Sequence, residues 1–307
     1  MPFSFKPDVL ARLKRPLSEW QAGETFDVTG INWAISADQW QDVVFLRAEG
    51  LAVLREWESG TPFLAVYGTP GIGKSTLLQL AAMRALVLGD PVLLHVRGVD
   101  KLVQIVDDAL LRVERLTLDD FGSGGRPSKK ATVMCYDSPN GFQETVGHAN
   151  VFKKTLIVHS PSGDLNNTLK ADKILPRLFA VPTEAELVAL GALEQIHPDE
   201  VRRRVARYGP IFRYLLNTVV AETSIDAGIS AMIDAGVDGL ANVSRASRDV
   251  HRITLMVRKP ASVGVMLVFA SDFIRDEVLR RMAGSQAEAL LRLANTRHPR
   301  LAARPGV

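Results

Sequence analysis

Residues 67–76 read YGTPGIGKST. Within them Gly68–Ser75 satisfy G-x-x-x-x-G-K-[ST] without a mismatch. Glycines let the backbone wrap an anion and aim several N–H groups at it, and a helix starting after Gly73 adds its positive end. Lys74 is then expected to reach the β- and γ-phosphates, and the Ser75 hydroxyl to take a place on Mg²⁺. The expected nucleotide-binding residues are Gly68, Thr69, Pro70, Gly71, Ile72, Gly73, Lys74, Ser75 and Thr76.

A chance match in a glycine turn is the alternative, and the flanking sequence argues against it. "PFLAVYG" (62–68) is a nearly continuous apolar run, as in a strand buried on both faces, and "STLLQLAAMRALVLGD" (75–90) has the pattern of a helix stopped by Gly89. Strand, glycine turn and helix in that order is the context a phosphate cradle needs.

Further apolar runs follow at "PVLLHVR" (91–97), "ATVMCYD" (131–137), "KTLIVHSP" (154–161) and "RLFAVP" (177–182). "KLVQIVDDALLRVERL" (101–116) reads as a second helix, and residues 119–130 as a glycine-rich polar loop. Strands alternating with helices predict an α/β fold: a parallel sheet with right-handed crossovers and helices on both faces. Upstream, "QDVVFLRAEGLAVLREWESG" (41–60) has helical spacing, with Phe45, Leu51, Leu54 and Trp57 on one side. After Pro182 the pattern turns helical through residue 222, and residues 225–307 read as a small α+β appendage. The expected organisation is an N-terminal arm (1–60), a core (61–182), a helical lid (183–224) and a C-terminal region with a basic tail (225–307).

A hydrolysing site also needs an acid at the end of a neighbouring strand, because ligands collect at the carboxyl ends of such sheets. Asp137 ends one apolar run and is the expected metal-shell partner of Ser75, and is otherwise a common turn former. The next residue is Ser138, which cannot orient water as a carboxylate would; Glu144 is the nearest candidate base, and is otherwise an ordinary loop residue. His159 and Ser160 end another run, where Ser160 is a candidate γ-phosphate sensor and otherwise caps a turn into Pro161.

Four segments in one order, "GTPGIGKS" (68–75), "MCYDSP" (134–139), "TLIVHSPSGDLNNTLK" (155–170) and "RYGPIFRYLL" (207–216), resemble a known family. It is the NTPase module shared by Crinkler-type effectors of oomycetes and fungi and by retrotransposon hot spot proteins of trypanosomes. Ser160-Pro161 with Lys170, and the turn Gly209–Arg213, carry the resemblance beyond the common cradle. It covers about residues 40–225. It implies an ASCE-type P-loop NTPase fold, ATP and Mg²⁺ as cofactors, and a second-sensor role for Arg213. It also implies a role linked to chromatin or nucleic acid inside a cell, in a host nucleus if the protein is a secreted effector. Pro210 departs from the family's second glycine, and residues 225–307 hold no convincing nuclease motif. A nucleotide-dependent scaffold that does not hydrolyse, and a general AAA-type or defence ATPase related only by fold, are the other readings.

The 307 residues are 47% hydrophobic and 23% charged, with net charge +3. This is the balance of an ordinary globular protein, and the weak basic excess identifies no partner. The single cysteine, Cys135, excludes a disulfide framework and points to a reducing compartment. No run has the length or apolarity of a signal peptide or a membrane span, so an intracellular protein without membrane contact is expected. Arg202, Arg203, Arg204 and Arg207 on one helix, and the arginine-rich tail from Arg275, are candidate nucleic-acid contacts. A solvated helix face with pairs such as Glu200–Arg204 is the competing explanation.

Overall fold

The computed structural model describes residues 3–28, 43–96, 99–107, 110–115, 132–138, 152–159, 177–235, 249–259 and 265–281. These divide into two units. The first holds the described residues up to Tyr67, from Gly73 to His159, and 177–179; the second holds Gly68–Ile72 and the described residues from Ala180 onward.

The first unit is built on an eight-stranded sheet. Its strands are β1 (Phe3–Ser4), β4 (Phe63–Tyr67), β5 (Val92–Val96), β6 (Val99–Asp107), β7 (Leu110–Arg115), β8 (Val133–Ser138), β9 (Lys154–His159) and β10 (Arg177–Leu178). Five strands run parallel in the order β10-β4-β9-β8-β5. β6, β7 and β1 extend the β5 edge as antiparallel strands. A separate small ladder pairs β2 (Thr25–Asp27) with β3 (Val43–Phe45).

The apolar runs form the parallel strands because both faces of those strands are covered. Leu156, Ile157 and Val158 of β9 are all fully buried, as are Ala65 and Val66 of β4. The helices described in this unit are α1 (Pro7–Lys14), α2 (Ala48–Glu58) and α3 (Lys74–Val87). α3 packs on β5, β8 and β9, with α1 and α2 against it. It is buried without a break from Leu77 to Val87, the condition of a helix apolar on all sides. Two polar side chains interrupt the apolar run, Gln79 and Arg84, both buried. The Arg84 charge is satisfied: its guanidinium donates to Glu58 Oε1 at 2.8 Å and to the carbonyls of Leu13 and Arg15. Burying a charge is tolerable only with such pairing.

Two sequence readings need correction. Residues 101–116 are not a helix: β6 and β7 pair antiparallel with each other, and β6 adds to the edge of β5. The open edge of β5 offers a row of backbone groups, and β-branched Val99, Val103, Ile105, Val106 and Val113 suit a strand. Phe45 belongs to β3, so the helix that feeds β4 begins only at Ala48. The sheet is flanked by helices as expected. The crossovers at 116–131, 139–151 and 160–176, which bear on whether both faces carry helices, lie outside the described residues.

The second unit contains α4 (Glu184–Leu193), α5 (Pro198–Tyr208), α6 (Phe212–Leu216) and α7 (Thr218–Ala235). These are followed by a hairpin of β11 (Thr254–Arg258) and β12 (Val265–Phe269), and by α8 (Asp272–Arg281). A capping box starts α4: Thr183 Oγ1 accepts the Glu186 N–H at 3.2 Å and Glu186 Oε2 accepts the Thr183 N–H at 2.9 Å. Asn217 leaves helical geometry and separates α6 from α7, and its Oδ1 accepts the Val220 N–H at 2.9 Å. No described helix is long and apolar enough to cross a membrane.

Candidate functional site

β4 ends at Tyr67, and the chain turns through Gly68–Gly73 before α3 begins at Lys74. Gly71 (φ +79°) and Gly73 (φ +94°) take the left-handed conformation that makes such a tight turn accessible. Lys74, Ser75 and Thr76 form the first turn of α3, whose leading N–H groups have no partner within the helix. Lys74 is 6% exposed. The helix follows the glycine turn directly, as the motif requires.

α3 leaves β4 and lies over β9 and β8. Asp137 is in β8, level with Val158 of β9 and Val96 of β5 at the carboxyl end of the sheet. Ser75 Oγ donates to Asp137 Oδ2 at 2.6 Å. The sequence assigned these two residues to one metal shell, and the fold brings them into direct contact.

The neighbouring strand ends carry polar groups. His159 of β9 is level with Tyr67 of β4 and with Ser138 of β8. Its fully buried ring stacks on Tyr67, with centroids 6.0 Å apart and planes 13° from parallel. Tyr67 had no role in the sequence reading; its place as the last residue before the loop was the available signal. Cys135, two residues before Asp137, is buried, and burial pushes its thiol pKa up. This disfavours the reactive thiolate.

Within the second unit, Gly68–Ile72 meet the turn between α5 and α6. Arg213 N–H donates to the Gly71 carbonyl at 3.4 Å, and the Arg213 side chain is exposed. Thr69 Oγ1 accepts the Met256 N–H at 2.9 Å, a contact with no local signal in the sequence. Glu144, Ser160, Pro161 and Lys170 lie outside the described residues, and of Ser138 only the strand backbone is described.

The arginines of α5 are engaged with acids. Arg202 pairs with Glu184 and Asp199, Arg203 and Arg204 with Glu200, and Arg207 with Glu222. On α8, Arg275 pairs with Asp272 and Asp276. Glu277 takes both Arg280 and Arg281, whose hydrogen bonds lower its carboxyl pKa to about 2. The tail beyond Arg281 lies outside the described residues.

No protein-family model and no curated protein matches this sequence.

Proposed function

We propose that the chain is a Mg²⁺-dependent P-loop NTPase of the ASCE type that binds ATP and turns it over slowly. The observation that carries this reading is the Ser75 Oγ–Asp137 Oδ2 contact of 2.6 Å, joining residues 62 positions apart at the start of a helix that follows a glycine turn. The order β10-β4-β9-β8-β5, with one strand between the loop strand and the acidic strand, supports the ASCE assignment.

The donor set fits magnesium. A hydroxyl and a carboxylate are hard oxygen ligands, and Mg²⁺ is usually held by one or two carboxylates with substrate phosphate and water completing the shell. Among the described residues no group of three or more His, Cys, Asp or Glu is placed to hold a metal. An ion at Ser75 and Asp137 therefore depends on the phosphates. When bound, Mg²⁺ would supply neutralisation of the charge on the nucleotide's phosphates. The chain's own part is to orient the nucleotide. The loop amides and the first turn of α3 bind phosphate oxygens, Lys74 neutralises the terminal groups, and Asp137 holds Ser75 in place.

Slow turnover follows from Ser138, which stands where a carboxylate would orient the attacking water. The same residue favours a second reading, a nucleotide-dependent scaffold that binds without hydrolysis and recruits protein partners. The resemblance to Crinkler-type and retrotransposon hot spot modules adds an intracellular role tied to nucleic acid or chromatin. The exposed guanidiniums of Arg202, Arg203 and Arg207 remain open to such a partner, because exposed ion pairs are worth little and phosphates can displace them.

The test is ATP against GTP binding and turnover by purified protein, with and without DNA. Lys74→Ala abolishes binding, and Asp137→Ala abolishes phosphate release. Release unchanged by Asp137→Ala overturns the enzyme reading, and binding unchanged by Lys74→Ala overturns the cradle itself.

A further inference from the structure

β11 belongs to a sheet of two strands. Alternate residues of such a strand point their backbone groups away from the partner. Met256, level with Leu267 of β12, directs its N–H to Thr69 Oγ1 at 2.9 Å, and both residues are buried, at 3% and 1% exposed. An amide in that setting is costly to leave unmet.

A second route joins the same elements. Arg213 N–H holds the Gly71 carbonyl. Just before it, Gly209 packs so tightly on the end of β12 that a Cβ there would sit 2.6 Å from the Ala270 carbonyl oxygen. Ser271 Oγ donates to the Arg207 carbonyl at 2.7 Å. Loop, turn 209–213, β12 and β11 thus form a closed ring of contacts within the second unit.

We infer that Thr69 is a positioning residue that couples the phosphate loop to the β11–β12 hairpin, so that the hairpin registers whether the loop holds a nucleotide. The inference rests on the nucleotide reading above. Phosphate bound by the loop amides restrains the loop, and with it the acceptor on which the Met256 N–H depends. Opening of β11 then becomes rarer when the loop is filled. The coupling is reciprocal, as any linkage between two sites must be.

Hydrogen exchange of the full chain, with and without saturating MgATP, tests this. Exchange in residues 254–258 is expected to slow about tenfold, within the range of coupling between linked sites. Thr69→Ser keeps the hydroxyl and retains the slowing; Thr69→Val loses it, each measured above its own Kd. If Thr69→Val does not fold, Met256→Leu, which keeps the amide, is compared with Met256→Pro, which removes it; only the proline variant loses the slowing at Leu255 and Val257. Unchanged exchange in saturated wild-type protein, or undiminished slowing in Thr69→Val or Met256→Pro, overturns the coupling. Titration calorimetry on the same samples separates the two failures: binding without slowing overturns the coupling alone, and no binding overturns the nucleotide reading with it.

Discussion

Gly71 has φ of +79°, and a Cβ built on it would lie 2.9 Å from Ile211 Cγ2 and 3.2 Å from Arg213 Cβ. The left-handed backbone costs an L-residue roughly 1–2 kcal/mol, and forcing a methyl into a packed site about 1–3 kcal/mol more. Gly71→Ala is therefore expected to lower unfolding free energy by about 2–5 kcal/mol and to weaken nucleotide binding by displacing the loop amides. Urea unfolding monitored by circular dichroism and nucleotide titration check the two effects. An alanine variant of wild-type stability would show that the loop relaxes freely. Residues of this kind are legible in a sequence because their chemistry is local: the cradle demands glycines, a lysine and a hydroxyl in fixed order. Asp137 was legible only beside the cradle: an acid ending an apolar run is also a common turn former, but ligands collect at the carboxyl ends of such sheets. The bond from Met256 to Thr69 was not legible, because the two residues are 187 positions apart and the donor is a backbone N–H.

Elements follow the same division between local and distant causes. α3 and α5 read correctly because their ends carry signals: Gly73 before Lys74, and Pro198 at the first helical position of α5. β6 and β7 misread because Leu102, Ile105, Val106 and Leu110 recur at a helical interval, while what decides their form is the edge of β5. Tertiary context overrides local pattern at such a place. At the other end of the unit, Glu24 ties α1 to the segment that follows it. Its Oε2 accepts from Arg12 at 3.1 Å and from Arg15 at 2.6 Å, and its Oε1 accepts the Gln21 N–H at 2.7 Å. Burial raises the Glu24 pKa, but the Gln21 amide and the two guanidiniums outweigh it and hold the carboxyl below its ordinary value of 4.5. A depressed folded-state pKa gives stability that is present above the unfolded value and is lost as pH falls through the folded one. Glu24→Gln is expected to lose that contribution at neutral pH and to show a flatter decline in stability below pH 4.5. Chemical denaturation across pH 3–7 measures it, and parallel wild-type and variant curves would contradict it.

For the whole molecule, the strand order was the part hidden from the sequence. Apolar runs identify strands that are buried on both faces, but nothing in a run names its neighbours, and β8 and β9 come to lie between β5 and β4 only through contacts distant in sequence. The assignment of Gly68–Ile72 to the second unit was hidden for the same reason. Ligand binding to the native state alone stabilises it by mass action: about 2.7 kcal/mol at a free concentration one hundred times Kd. For a unit of roughly 150–250 residues that corresponds to a rise in Tm of roughly 5–10 °C. Two units can melt separately, so the prediction attaches to the one that contains Lys74, Ser75 and Asp137. Its transition, followed by scanning calorimetry, is expected to rise with MgATP, to rise less with ATP and EDTA because Ser75 and Asp137 then share no cation, and to stay fixed in Lys74→Ala. A rise that is equal with and without magnesium would place the nucleotide away from the Ser75–Asp137 pair.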